Sequence, residues 1–280
     1  MSVWFAAFLG LVQGVAEFLP ISSSGHLSLF QNFFHMENVE ESQMLFDVLL
    51  HLGTLVAVIV AYWSDVRDVV KELVKIVADL FRGRKADHSL DQPAVRRLIL
   101  MVIVATLPLF LAVLFDDVVE TLYASTLFVG IALACTGCIL FISDKIITGR
   151  KNERSATMLD ALLVGCMQAV AILPGISRSG STITAGLLRG FDRKFAVRFS
   201  FLLSIPAVLG ANLLQVADAV KAGFDTALLP AYLVGMVVAG VSGYFAIRLV
   251  RLLMDKGRFG RFAYYCWAVG AATIVASLIL

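Results

Sequence analysis

The sequence predicts an all-α polytopic membrane protein with an inverted-topology repeat, each half a re-entrant helix-loop-helix hairpin plus three transmembrane helices. Three observations lead there. First, 59% of the 280 residues are hydrophobic and only 16% are charged, with a mean hydropathy of +0.87, whereas soluble domains are about half apolar and about a quarter charged. Second, apolar stretches long enough to cross a bilayer alternate with connections of opposite charge character. Third, the chain aligns with itself at a fixed offset. With 4 Cys, 6 Pro and no dominant heptad, the composition excludes collagen, coiled coils, disordered chains and disulfide scaffolds. A formal net charge of +2 gives no sign of a nucleic-acid partner; the partner the apolar composition implies is the membrane bilayer. Residues 1–280 read as a single membrane domain, with repeat halves at 1–142 and 158–280 and a linker at 143–157.

Crossing the hydrocarbon core takes about 20 apolar residues. Residues 3–34 are apolar but broken near the middle by Pro, Gly and Ser. They lack a basic leader and carry Glu17, so they read as structure rather than a signal peptide. Residues 44–63 form the first clean span. In the cytoplasmic segment 64–97, Val66 to Lys85 places Val69, Val70, Leu73, Val74, Val77 and Leu80 on one side, the pattern of an amphipathic helix lying on the membrane surface. Further spans follow at 98–115 and 122–142; residues 158–188 are broken like 3–34; and 199–217, 228–249 and 262–280 complete the set. Gly235, Ala239, Gly240 and Gly243 predict close packing of one span, either internal or between the protomers of a homodimer. Cys135, Cys138, Cys166 and Cys266 lie in apolar runs without accompanying His, so they read as ordinary thiols.

Charge placement orients the chain. Of the 23 Lys and Arg, all but Arg178 and Lys221 fall in the connections 64–97, 143–157, 189–198 and 248–261, which the positive-inside rule puts in the cytoplasm. The other connections hold Glu37, Glu40, Glu41, Asp116, Asp117, Glu120, Asp218 and Asp225, with Lys221 as their only base. Residues 1–43 are too short for two further crossings, and 158–188 lies between two cytoplasmic connections. Both therefore read as re-entrant hairpins entering from opposite sides, tolerated at depth only where protein or water satisfies their backbone.

At an offset of 155 residues, Gly10, Gln13, Val15, Ala16, Ile21, Ser22, Ser24 and Gly25 match Gly165, Gln168, Val170, Ala171, Ile176, Ser177, Ser179 and Gly180. Three spans per half is an odd number, so the second half is inverted, as in transporters whose sites lie at the repeat interface. The ionisable groups Glu17, His26 and Arg178 lie in the hairpins, where charge must pair, face water or do chemistry. Around them stand Gln13, Ser22, Ser23, Ser24 and Gly25 from the first hairpin, and Gln168, Ser177, Ser179, Gly180, Ser181 and Thr182 from the second. Glycine-flanked tips, restarting helices and a guanidinium make an anion site suited to phosphate. A carboxylate, an imidazole and serines add the parts for phosphoryl transfer. His35, in an outer loop, and His88, in the basic segment, have weaker claims; Asp47 and His51, four residues apart, read as supporting or packing residues.

Gln13–Glu17 reads QGVAE, Pro20–His26 reads PISSSGH and Pro174–Thr182 reads PGISRSGST. In these motifs, and over essentially the whole chain, the sequence resembles the undecaprenyl-diphosphate phosphatase family of bacitracin-resistance type. The resemblance implies hydrolysis of a polyprenyl diphosphate lipid, undecaprenyl diphosphate, to the monophosphate carrier and inorganic phosphate. It also implies a divalent cation, Mg2+ or Ca2+, and residence in the bacterial inner membrane with the site facing the periplasm. Carried over by motif, Glu17, Ser23, His26 and Arg178 are expected to be catalytic, with Glu17 the metal ligand. Arg178 and the second tip would hold the diphosphate; Ser23 or water would attack, and His26 would move the proton. Gln13, Ser22, Ser24, Gly25, Ser177, Ser179, Gly180 and Thr182 are expected to bind substrate. Gln13 stands where the family admits Glu or Gln, which leaves it positioning substrate or water. The rival reading is a transporter or flippase of lipid phosphates or anions. The mismatch of Glu17 with Ile172, Ser23 with Arg178 and His26 with Ser181 across the repeat favours catalysis over it.

Overall fold

The computed structural model describes residues 1–33, 40–81, 94–147, 149–222 and 226–279. Twelve helices are found among them, and no strand. The first half holds α1 (Val3–Phe18), α2 (Ser23–Phe33), α3 (Glu40–Ala61), α4 (Trp63–Phe81), α5 (Ala94–Ala112), the short α6 (Asp116–Tyr123) and α7 (Thr126–Ser143). The second holds α8 (Met158–Val170), α9 (Arg178–Leu188), α10 (Arg193–Ala222), α11 (Leu229–Asp255) and α12 (Phe262–Ile279). Five helices are long and apolar enough to cross a membrane: α5, α7, α10, α11 and α12. A sixth is added if Leu45–Ala61 is joined to Trp63–Asp79, from which it is bent by 90°. The protein is a multi-pass helical membrane protein. Glu37, His35, Arg82, Arg84, Lys85, His88 and Asp225 lie outside the described residues.

Capping chemistry sets the boundaries that hydropathy leaves vague. The Asp192 carboxylate accepts the Phe195 N–H at 2.8 Å, so α10 starts at Arg193, six residues before the apolar run expected at 199. The Ser125 hydroxyl accepts the Phe128 N–H at 3.3 Å, so α7 starts at Thr126 instead of 122. The break at Tyr62 turns α4 away from α3. It leaves Trp63, Val70, Leu73, Val74, Val77 and Phe81 exposed along one side of α4, the face expected to be apolar.

The two halves pack on each other crosswise. α1 runs along α11 and α8 along α5, while α3 meets α10 and α11, and α12 lies on α7. Small residues permit the close approaches. A Cβ at Gly10 would sit 2.3 Å from the Gly235 carbonyl oxygen, and one at its repeat mate Gly165 would sit 2.2 Å from that of Ala105. Gly14 meets Ala239 and Gly243, and Gly53 meets Met236 and Gly240. The small-residue stripe of α11 is thus used inside the chain. Gly10→Ala is expected to cost about 1–3 kcal/mol by overpacking against immovable backbone, whereas Gly210→Ala, whose Cβ would meet nothing within 4 Å, leaves stability unchanged or slightly raised. Thermal unfolding in detergent checks both.

All four basic connections converge at one end. Arg97 donates to the Ala156 carbonyl, Arg198 pairs with Asp65 and Glu153, and Arg193 donates to the Met254 carbonyl. Asp160, with 0% of its side chain exposed, pairs with Lys151 and Arg189 and closes a capping box with Thr157, tying the base of α8 to the end of α9. Burial opposes its charge, but Lys151, Thr157 and Arg189 together hold the carboxyl well below the usual carboxylate range. A depressed folded value stabilises the fold at every pH above the unfolded value of about 3.9. That contribution is lost as pH falls from there through the folded value. The melting temperature should therefore decline below about pH 4; Asp160→Asn should start lower at neutral pH and show a shallower acid decline.

Candidate active site

Each broken helix pair turns on a short polar tip, and the tips are built alike. In the first, the Ser22 hydroxyl accepts the Gly25 N–H at 3.2 Å and lies 3.3 Å from the Ser24 hydroxyl; in the second, the Ser177 hydroxyl accepts the Gly180 N–H at 3.2 Å and lies 3.3 Å from that of Ser179. The tips touch reciprocally. A Cβ at Gly25 would lie 2.8 Å from the Gly175 Cα, and one at Gly180 would lie 3.2 Å from the Pro20 Cβ. Thr136 of α7 locks the second tip by donating to the Gly175 carbonyl at 2.8 Å and accepting the Ser177 N–H at 3.0 Å. The tips differ in backbone: Ser22 takes φ +67°, the one non-glycine residue with positive φ among those described, and Gly175 takes φ +93° at the position of Pro20. The Ser22 conformation costs about 1–2 kcal/mol. The Ser22 carbonyl accepts the His26 Nδ1–H at 2.8 Å.

Glu17 is where the tips meet. Its side chain is 8% exposed, and its Oε1 accepts a hydrogen bond from Arg178 Nη2 in an ion pair. Oε2 accepts the Ser23 hydroxyl at 2.7 Å and the Gln13 amide N–H at 3.2 Å. Ser23 and Arg178 are the first helical residues of α2 and α9 and stand 155 residues apart, the offset at which the sequence aligns with itself. Both positive helix ends and both side chains therefore converge on one carboxylate.

Two further shells surround this centre. The Gln13 amide also donates to His51 Nε2 at 3.3 Å, and His51 Nδ1–H donates to the Asp47 carbonyl at 2.9 Å, so His51 braces Gln13. His51 thus stands behind Gln13 as a supporting residue, in line with the sequence reading. With Nδ1–H committed to Ser22, His26 presents Nε2 to the Tyr265 hydroxyl at 2.8 Å, and the two rings stack at 5.7 Å with an 8° interplanar angle. Nothing in the sequence singled out Tyr265, one aromatic among several in an apolar span.

The remaining expected residues divide by task. Ser22, Ser24, Gly25, Ser177, Ser179 and Gly180 shape the tips. The Thr182 hydroxyl donates to the Arg178 carbonyl at 2.8 Å and lies 2.6 Å from the Ser200 hydroxyl, which fixes the first turn of α9 from behind. Ser23 donates to Glu17 and not to His26, so the proton acceptor nearest its hydroxyl is the carboxylate. Gln168, the repeat mate of Gln13, is buried with neither amide atom hydrogen-bonded to protein. Cys266 is buried and its thiol lies 3.6 Å from the Pro20 carbonyl, steadying the first tip, while Cys135, Cys138 and Cys166 are exposed free thiols.

Among the described residues no three His, Cys, Asp or Glu gather as a metal cage. The tips offer one carboxylate, Glu17, to which the Gln13 N–H and the Ser23 hydroxyl donate. A single carboxylate fits a hard divalent ion of the kind held by one or two carboxylates and completed by phosphate oxygens.

Comparison with known proteins places the chain in a family. The family model described as bacitracin resistance protein BacA matches residues 6–272. Among similar proteins, an undecaprenyl-diphosphatase of Alkaliphilus metalliredigens is 41% identical over 281 residues, covering all of both chains. One of Halothermothrix orenii is 40% identical over 98% of each chain. One of Methanosphaera stadtmanae is 38% identical over the full length of both. The full-length matches span both tips and the five apolar helices, and the chain belongs to the bacitracin resistance protein BacA family.

Proposed function

We propose that the protein hydrolyses undecaprenyl diphosphate to undecaprenyl phosphate and inorganic phosphate, recycling the lipid carrier for cell-wall synthesis. The observation that carries this reading is the convergence of Ser23 and Arg178 on Glu17 between two helix N-termini. The names of the similar proteins point the same way. In the resting site Arg178 is held by Glu17. The incoming diphosphate, more highly charged than a carboxylate, takes the guanidinium and the N–H groups of the tips and so frees Glu17.

The released carboxylate accepts the proton of the attacking oxygen, that of Ser23 or of a water in its place. A new bond forms to the terminal phosphorus, the bridging P–O bond breaks, and its electron pair leaves on undecaprenyl phosphate. If Ser23 attacks, water then hydrolyses the phosphoserine, with His26 and Tyr265 placed to move the second proton. Glu17 would hold Mg2+ or Ca2+, which when bound supplies charge neutralisation at the phosphates. Most of the acceleration comes from positioning and electrostatics.

The inverted repeat and the re-entrant hairpins belong to this proposal. Support comes from the matched caps of the two tips, their reciprocal contacts and the crosswise packing of α1 on α11 and α8 on α5. Residence in the inner membrane, the tips opening away from the basic end and α4 lying on the cytoplasmic surface complete it.

Tyr265→Phe keeps the ring stack but removes the hydroxyl from His26; kcat should fall about tenfold, the worth of about one hydrogen bond, with KM and melting temperature little changed. Mass spectrometry of the lipid after incubation in nanodiscs tests the proposal: undecaprenyl monophosphate is expected, whereas recovery of intact diphosphate alone contradicts it.

A further inference from the structure

A chamber of about 330 Å3 lies at the basic end of the molecule, between the α3–α4 bend, the first turn of α10 and the last turn of α11. It is distinct from the tips: ten residues of α3 separate His51 from Ala61 at its edge, about 15 Å at a helical rise of 1.5 Å per residue. Its walls carry Arg193, Lys194, Arg198 and Arg251. Of its two acids, Asp65 is already engaged by Arg198 at 2.6 Å, and Asp255 stands exposed.

The cations are fixed but not saturated. Arg251 donates Nε to the Tyr62 hydroxyl at 3.1 Å and Nη2 to the Ala61 carbonyl at 3.0 Å, with its guanidinium 3.9 Å from the Tyr62 ring centroid. Arg193 donates Nη1 to the Met254 carbonyl at 3.2 Å. Arg198 Nε is buried with no acceptor. Since each guanidinium carries five N–H donors, several are left to serve a ligand. Arg193 and Lys194 occupy the first turn of α10, whose N-terminus is capped by Asp192, and Arg193 reaches the last turn of α11. An anion seated there would meet all four cationic side chains.

We propose that this chamber is a second anion site, one that binds a phosphate group, either inorganic phosphate or the headgroup of an anionic phospholipid. A phosphate offers several acceptor oxygens to fixed arginine forks, which a chloride ion does not. The exposed apolar side of α4 leaves the same bend at 90°, which sets the chamber at headgroup depth when that side lies on lipid.

The test uses the full chain carrying Glu17→Ala and Arg178→Ala, so that the tips no longer grip phosphate. Melting temperature is followed in detergent against inorganic phosphate, with chloride at matched ionic strength, and in phosphatidylcholine nanodiscs with and without phosphatidic acid. A saturable rise with phosphate identifies a soluble ligand, and a rise with phosphatidic acid alone identifies a lipid. In either case adding Arg193→Gln and Lys194→Gln should weaken the apparent affinity at least about tenfold, or about 1.4 kcal/mol. Lys194→Gln alone, at an exposed side chain, gives a smaller loss in a variant whose unliganded melting temperature is unchanged. Equal responses with and without these substitutions, an equal response to chloride, or no response in either arm would overturn the proposal.

Discussion

Arg178→Ala should lower kcat/KM for undecaprenyl diphosphate at least about a thousandfold, about 4 kcal/mol of transition-state stabilisation. Arg178 is the guanidinium at the meeting tips, and its ion pair with Glu17 aims it there. The charge that grows on the phosphoryl oxygens during attack loses its main counterion when it is removed. Arg178→Lys restores the charge without the planar fork and should recover only part of the loss, remaining about a hundredfold below the parent. A merely structural arginine would predict the opposite pattern, with lysine near the parent in activity. Steady-state phosphate release, with melting temperature recorded for each variant, separates the two.

Glu17→Ala carries the second large effect, a loss of similar size, because this one carboxylate receives Ser23, Gln13 and Arg178. Its stability signature is distinctive. Removing one member of a buried pair strands the other charge at a cost of about 3–5 kcal/mol, whereas removing both leaves no stranded charge. The double variant Glu17→Ala/Arg178→Ala should therefore melt above either single variant while being no more active than the worse of them. If the two losses in activity simply multiply, Glu17 and Arg178 do not act as a unit.

Much of this site was legible before any coordinates. Glu17, Ser23 and Arg178 stood out because charge and hydroxyls are out of place in apolar runs, and the repeat paired Ser23 with Arg178, which the fold brings to one carboxylate. The spans emerged from hydropathy because lipid imposes a simple length requirement. Boundaries did not, since Asp192 and Ser125 move helix starts through single hydrogen bonds that no average registers. Tyr265 and Thr136 escaped because a tyrosine or threonine in a span is unremarkable until tertiary packing places it beside His26 or Gly175. His51 reads as a supporting residue, but what it supports is Gln13, 38 residues away, a partner that local spacing does not reveal. The direction of the Ser23 proton is likewise hidden, because adjacency in PISSSGH suggests His26, whereas the imidazole is held between the Ser22 carbonyl and the Tyr265 hydroxyl.

The central claim is that the two meeting tips form a hydrolytic site and not a transport site. The most direct measurement is phosphate release from undecaprenyl diphosphate by the purified protein in detergent, where no gradient exists, with and without Mg2+ or Ca2+ and beside Arg178→Ala. The expected result is cation-dependent release by the parent and almost none by the variant. Well-folded parent protein that binds the lipid but releases no phosphate with any cation would contradict it.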